Sequence, residues 1–189
     1  MPKIVKDEEI YRAVMQVVSE RGYAGATTKQ MAELAEVSEV TLFRKYESKA
    51  ELVRRAISFI VKETALSSAA QYTGDVHADL LKVAQTYQET AVKRGLFILA
   101  FISEFERHPE LVDSIGEPLK IFWVIGDLIA RYQSEGVLQH EHPIYAVATL
   151  LGPLMYITTI RRAKLDSQIP PVDLSAHVTR FLEGRRIKK

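Results

Sequence analysis

The 189-residue chain contains no cysteine. Disulfide staples, thiolate metal sites and a cysteine nucleophile are excluded, and residence in a reducing cytoplasm is permitted. The chain is also short of net charge, since 25 Lys and Arg against 24 Asp and Glu leave only +1. No global field drives it onto a polyanion, so contact with nucleic acid requires a local cluster of cations. Long apolar runs are scarce, and the opening MPKIVKDEEIYR carries charge where an export signal needs a hydrophobic stretch. The exception is His142 to Ile160, which has no Asp, Glu, Lys or Arg. A spanning helix needs about 20 predominantly apolar residues. This run holds Pro143, Pro153, Thr149, Thr158, Thr159, Tyr145 and Tyr156, so it reads as a helix at an interior or subunit interface and not as a membrane partner. The chain is read as cytoplasmic.

Catalytic sets are missing too. The histidines are His77, His108, His140, His142 and His177, and none has the spacing of a helical metal pair. His140-Glu141-His142 falls in a loop before Pro143. With no Gly-rich phosphate loop and no nucleophile elbow, neither an enzyme, a metal nor a cofactor is expected.

What is present is a core-forming composition, 47% hydrophobic and 26% charged, with helical periodicity nearly throughout. Ile10, Val14, Val17 and Val18 make one apolar stripe, preceded by the acids Asp7, Glu8 and Glu9 and stopped at Gly22. Thr27 to Gln30 fits a capping box opening a short second helix, with Met31, Ala32, Leu34 and Ala35 on its buried side. Ser38 caps a third helix to about Tyr46, and Ser48-Lys49-Ala50-Glu51 is a further capping box opening a long fourth. Beyond a turn at Tyr72-Thr73-Gly74-Asp75 comes the stripe Val76, Leu80, Val83, Ala84 and Tyr87. Leu96 to Phe105 reads as a largely buried helix, Gly116-Glu117-Pro118 as a break before a helix to Gly136, Pro143 to about Arg162 as the uncharged helix, and Asp173 to Glu183 as the last. No strand, repeat or low-complexity tract is seen, so the class is all-α.

Two short helices joined by about three residues, the second capped by Ser, follow the helix-turn-helix plan. Thr41, Arg44 and Lys45 fall on its outward side while Leu42 and Tyr46 pack inward. Lys49, at the start of the fourth helix, adds its charge to free backbone N–H groups suited to phosphate. A solvated charged face on an ordinary helical bundle would carry the same pattern.

The stretch TTKQMAELAEVSEVTLFRKYESKAELV closely resembles the signature of the tetracycline-repressor (TetR) family. Shared are the Thr-Thr start, the Ala of the second helix, Val-Ser in the turn, Thr-Leu-aromatic in the recognition helix and the Ser-Lys-x-x-Leu exit. The resemblance covers roughly residues 8 to 55. It implies a three-helix DNA-binding domain over residues 1–50, joined by a long fourth helix to a helical effector-binding and dimerisation domain over 51–189. It also implies that Lys29, Glu39, Val40 and Arg44 approach base edges, while Thr27, Thr28, Thr41, Phe43, Lys45 and Lys49 approach phosphate or sugar. Arg44 suits guanine, Glu39 cytosine N4 and Val40 a thymine methyl.

Three departures are visible. Glu36 stands where the turn commonly has glycine; a left-handed residue there costs about 1 kcal/mol or more, so a different turn is expected. Phe43 lacks the hydroxyl of the usual tyrosine. Glu36, Glu39 and Glu47 bring negative charge towards the DNA backbone and should weaken nonspecific binding.

Reading a palindrome requires two copies, so a homodimer is expected. The best candidates for its surface are Ala148, Leu151, Gly152, Met155 and Thr159 of the uncharged helix with Leu174, Val178, Phe181 and Leu182 of the last, which the resemblance implies would pair as a four-helix interface; filling of a monomer core is the alternative. Phe97, Phe101 and Phe105 form an aromatic stripe that, with Tyr87, Trp123, Tyr132 and Tyr156, is read as the lining of a pocket for a hydrophobic small-molecule effector, ordinary packing being the alternative. The functional expectation is a ligand-responsive repressor on a double-stranded DNA operator. The alternative is a helical dimer with a decayed DNA surface that acts through protein partners.

Overall fold

The computed structural model describes residues 5–63, 65–94, 108, 112–162 and 168–187. Nine helices run through these residues: α1 (Asp7–Gly25), α2 (Thr28–Leu34), α3 (Glu39–Tyr46), α4 (Lys49–Lys62), α5 (Leu66–Ala69), α6 (Val76–Arg94), α7 (Val112–Ser134), α8 (Pro143–Arg162) and α9 (Leu174–Glu183). Among the described residues there is no strand, only an isolated antiparallel bridge between Leu138 and Arg186. The described residues are all-helical in class, as the periodicity predicts. The chain divides into two compact units, Met1–Thr64 with Phe97–Leu119, and Ala65–Leu96 with Lys120–Lys189.

In the first unit the predicted stripe of α1, Ile10, Val14, Val17 and Val18, is buried, and Met15 joins it. Gly22 breaks the helix at φ 69°, a conformation open to a residue without Cβ, but a further turn follows as far as Gly25. Helices α1 and α4 pack together, and α2 and α3 close the bundle. Met31 and Ala32 of α2, Leu42 and Tyr46 of α3, and Leu52, Val53, Ala56 and Ile57 of α4 share its core. Because α4 turns an apolar face to this core, the packing unit extends past residue 50 to include the whole helix. The fourth helix is also shorter than its long periodic run implies, ending at Lys62 before the separate turn of α5.

In the second unit α6 packs against α5, α8 and α9. The stripe Val76, Leu80, Val83, Ala84 and Tyr87 is buried against Ile125 and Ile129 of α7, Leu150 and Leu154 of α8, and Val178 and Phe181 of α9. Each large side chain so buried stabilises the fold by about 1.5–3 kcal/mol. Helix α7 ends with Gly136 at φ 70°, where Gly136 N–H donates to the Gln133 carbonyl and Val137 N–H to that of Tyr132. The break expected at Gly116-Glu117-Pro118 does not occur, since α7 is continuous from Val112. Tertiary context outweighs the local helix breakers there. The apolar helix read from Leu96 to Phe105 lies outside the described residues.

Candidate nucleic-acid interface

The geometry of α2 and α3 follows from their caps. Gln30 N–H donates to Thr27 Oγ1 at 3.2 Å and Thr27 N–H to Gln30 Oε1 at 3.1 Å, the complete reciprocal box. At the far end of α2, Val37 N–H donates to the Ala32 carbonyl and Glu36 N–H to that of Glu33, the paired bonds of a left-handed helix stop. Glu36 adopts φ 54° there. The expectation of a different turn is corrected: glutamate takes the glycine conformation, because these two bonds satisfy carbonyls that would otherwise be orphaned. Ser38 then caps α3, accepting from Thr41 N–H at 3.1 Å.

The cap at Ser48 is only half a box. Glu51 N–H donates to Ser48 Oγ at 3.1 Å, but Ser48 N–H donates to the Tyr46 carbonyl at 2.6 Å. The Glu51 carboxylate instead accepts from Arg54 and Arg55, each at 2.6 Å. Hydrogen bonds from these two guanidinium groups, Arg54 first, hold its carboxyl down at about 2. Charged donors one turn away win over a backbone amide.

Leu42 and Tyr46 face inward at 2% and 1% exposure, as their spacing predicts. Burial pushes the Tyr46 phenol up from its ordinary range. The outward side of α3 presents Val40, 75% exposed, and Phe43, 48% exposed, beside the exposed cations Arg44 and Lys45. Lys29 and Thr27 are exposed at the start of α2, while Thr28, Glu39, Thr41 and Lys49 are half-buried. Lys45 Nζ forms an ion pair with Asp7. Lys49 Nζ donates to the Tyr23 carbonyl and lies 4.2 Å from that ring's centroid. Thr28 and Glu39 meet across the turn, the hydroxyl donating to Glu39 Oε1 at 2.5 Å. Sequence reasoning missed this contact, which joins residues 11 apart.

The residues assigned to an aromatic pocket separate. Tyr87 is buried, and desolvation pushes its phenol up to about 12. Tyr132 is fully buried, but its hydroxyl donates to Asp79. Asp79, 4% exposed, also accepts from Thr73 N–H at 2.8 Å and Thr73 Oγ1 at 2.6 Å. Tyr132 therefore anchors the start of α6, a role that the unremarked Asp79 defines. Trp123 and Tyr156 are 56% and 65% exposed and do not share an interior with the other two. Their amphipathic rings fit a surface as well as a core. Phe97, Phe101 and Phe105 lie outside the described residues.

The residues assigned to a dimer surface also separate. Leu151, Val178, Phe181 and Leu182 are buried in the second unit's own core, which corrects their placement. An apolar residue does not by itself reveal whether its own chain or a partner covers it. Ala148 and Thr159 are exposed, and Gly152, Met155 and Leu174 are half-buried. Tyr145, 69% exposed, lies on the same side of α8 and was missed; its i, i+3, i+7, i+11, i+14 relation to Ala148, Gly152, Tyr156 and Thr159 was the available signal.

A capped pair of short helices, joined by a tight turn and presenting cations and apolar side chains from the second, is the geometry of a DNA-binding helix-turn-helix. Residues 10–56 match the family model described as bacterial regulatory proteins, tetR family. The HTH-type transcriptional regulator YvkB of Bacillus subtilis is 29% identical over 134 residues, 70% of each chain. In fold, the chain is similar to a TetR-family protein from Vibrio parahaemolyticus at TM-score 0.74, with 16% identity and coverage of 96% of this chain and 99% of that one. It is also similar to the fatty acid degradation regulator FadR of Bacillus halodurans at TM-score 0.69, with 20% identity and coverage of 97% and 95%. The chain is thus similar to TetR-family transcriptional regulators, in sequence through its helix-turn-helix segment and in fold over nearly its whole length.

Proposed function

We propose that the chain is a repressor that binds a palindromic operator as a homodimer and leaves it when a hydrophobic small molecule binds. The observation that carries this reading is the outer face of α8. Tyr145 and Tyr156 are 69% and 65% exposed there. Ala148, Thr149 and Thr159 are exposed beside them, and a Cβ on Gly152 would meet nothing within 4 Å. Helix α8 is long and apolar enough to cross a membrane, with 33% of its apolar window buried. A second copy related by a two-fold axis covers such a face with itself, and a pair of helix-turn-helix units then reads half-sites about 34–36 Å apart or a multiple of that. The interface is accordingly assigned to Ala148, Gly152, Met155 and Thr159 with Tyr145 and Tyr156, joined by Leu174.

At the operator, Lys29, Glu39, Val40 and Arg44 meet base edges. Thr27, Thr41, Phe43, Lys45 and Lys49 meet the backbone, whereas the hydroxyl of Thr28, expected there too, donates to Glu39 Oε1 at 2.5 Å. Arg44 donates to guanine through its planar fork, and Val40 touches a thymine methyl. Lys45 and Lys49 exchange their internal partners for phosphate. Helices α1 to α4 form the DNA-binding domain, and the remaining helices sense and dimerise. The apolar interior of that second part, with the desolvated Tyr87, supports a hydrophobic effector such as a drug or an acyl chain. The effector acts only if it binds the DNA-competent and DNA-incompetent dimers differently. Repression follows because occupancy of a promoter suffices to block it, and the place of action is the cytoplasm.

Selection of bound fragments from random DNA at about 0.15 M salt tests the reading, because phosphate contacts there compete with physiological screening. A palindromic consensus and two protomers per site by sedimentation are expected. A half-site consensus bound by monomers would sink the dimer. Failure of a panel of hydrophobic compounds to release the probe would sink the effector.

A further inference from the structure

The recognition helix begins with an acid whose side chain is held. Glu39 is the first residue of α3, half-buried, and Thr28, the first residue of α2, donates its hydroxyl to Glu39 Oε1 at 2.5 Å. Phosphate binding does not account for this pair. A carboxylate facing the DNA backbone weakens nonspecific affinity, and the hydroxyl committed to it is a donor withdrawn from phosphate. Helix stability does not require it either, because the positive end of the α3 dipole favours an acid in the first turn without a partner on another helix. What the bond does is select one orientation of a long side chain.

That orientation leaves Oε2 with no partner among the described residues. A carboxylate oxygen only accepts, so in the major groove it can meet an exocyclic amine and is repelled by the acceptors of guanine and the O4 of thymine. Adenine presents its amine beside the N7 acceptor. Cytosine presents N4 between its C5–H and the O6 of the paired guanine, one flanking acceptor against the two that flank the adenine amine, which makes it the better match.

We propose that Thr28 is a positioning residue for base recognition, fixing Glu39 through Oε1 so that Oε2 reads a cytosine in each half-site. The inference rests on the operator-binding reading and deepens it.

The test is selection from random DNA with the full chain and with Thr28→Val, Thr28→Ser and Glu39→Gln. The unsubstituted protein yields a consensus with one cytosine per half-site preferred by about tenfold or more, the scale of a good base contact. Thr28→Val, nearly isosteric, flattens that position to within about threefold while the others stand, and Thr28→Ser restores it. Glu39→Gln moves the same position towards adenine, because an amide pairs with N6 and N7 together. A uniform loss of affinity in Thr28→Val with the consensus intact would make Thr28 a phosphate contact and overturn the proposal alone. A consensus unaltered in Glu39→Gln would do the same. Absence of any consensus from the unsubstituted protein would remove the operator reading and the proposal together.

Discussion

The two units keep their exposed apolar side chains in opposite company. On α3, Val40 and Phe43 stand beside Arg44 and Lys45, whereas on α8, Tyr145 and Tyr156 occupy a helix with no charge before Arg161. Cations interleaved with apolar groups match a partner that is anionic outside and carries methyl groups in its groove. A face without charge matches one as uncharged as itself, and burying it against a copy strands no ion. The same observation, an exposed aromatic, therefore points to DNA in one unit and to protein in the other, and the neighbouring charges decide between them.

The largest effect that would break this comparison is expected at Ala148. In the proposed dimer, Ala148→Glu places two like charges across the two-fold axis, which costs several kcal/mol and should lower operator affinity by about 100-fold or more while leaving helix content intact. Sedimentation should then find monomers. Leu151, three residues on but buried, should behave oppositely: Leu151→Ala costs about 2–5 kcal/mol of stability in the second unit, read by denaturant unfolding, because the cavity cannot be refilled from solvent. A dimer indifferent to Ala148→Glu would move the interface elsewhere.

On the DNA side, Arg44→Ala should reduce discrimination at one position by about 1–3 kcal/mol, whereas Lys49→Ala should weaken every sequence alike and flatten the salt slope by about one unit. Fluorescence anisotropy on matched and mismatched probes across a salt series separates the two. Equal losses on all probes from both variants would erase the division between reading and holding.

How far each unit could be read beforehand follows the range of the interactions that built it. The caps at Thr27 and Ser38 formed as spaced, because each involves residues three apart on a single helix start. Thr28 and Glu39 meet only because the turn brings two helix starts together, and no local pattern encodes that. The box at Ser48 formed by half, since Glu51 had stronger donors one turn along. In the second unit the absence of charge from α8 hid its two-sidedness. Leu151 went to the core and Ala148 to the surface, and hydrophobicity alone does not distinguish a face covered by its own chain from one awaiting a partner. Asp79 was passed over because an acid at that position looks solvated until Tyr132 and Thr73 close on it.

A smaller effect sharpens the account of the turn. Glu36 at φ 54° carries the strain that glycine avoids, so Glu36→Gly should stabilise the first unit by about 0.5–1 kcal/mol after the greater freedom of glycine in the unfolded chain is subtracted. Thermal unfolding monitored with a probe in the first unit would register it. A loss of stability would mean that the Glu36 side chain contributes more through its own contacts than its backbone costs.

The smallest effect concerns acid. Glu51 holds its carboxyl at about 2 against 4.5 when unperturbed. A carboxyl lowered in the fold contributes stability that is fully present above about pH 4.5 and is lost as pH falls through about 2. Solvent screens the cluster, since the Arg54 and Arg55 side chains are 38% and 46% exposed, which keeps the contribution below about 1 kcal/mol. Glu51→Gln should therefore lower stability slightly at neutral pH and leave it unchanged near pH 2, so that the two denaturation curves converge on acidification. Convergence is also what separates the pair from the cap: the Ser48 bond to residue 51 uses the backbone N–H, survives the substitution and does not titrate. A difference that persisted undiminished to pH 2 would assign the loss to helix packing and not to the two arginines.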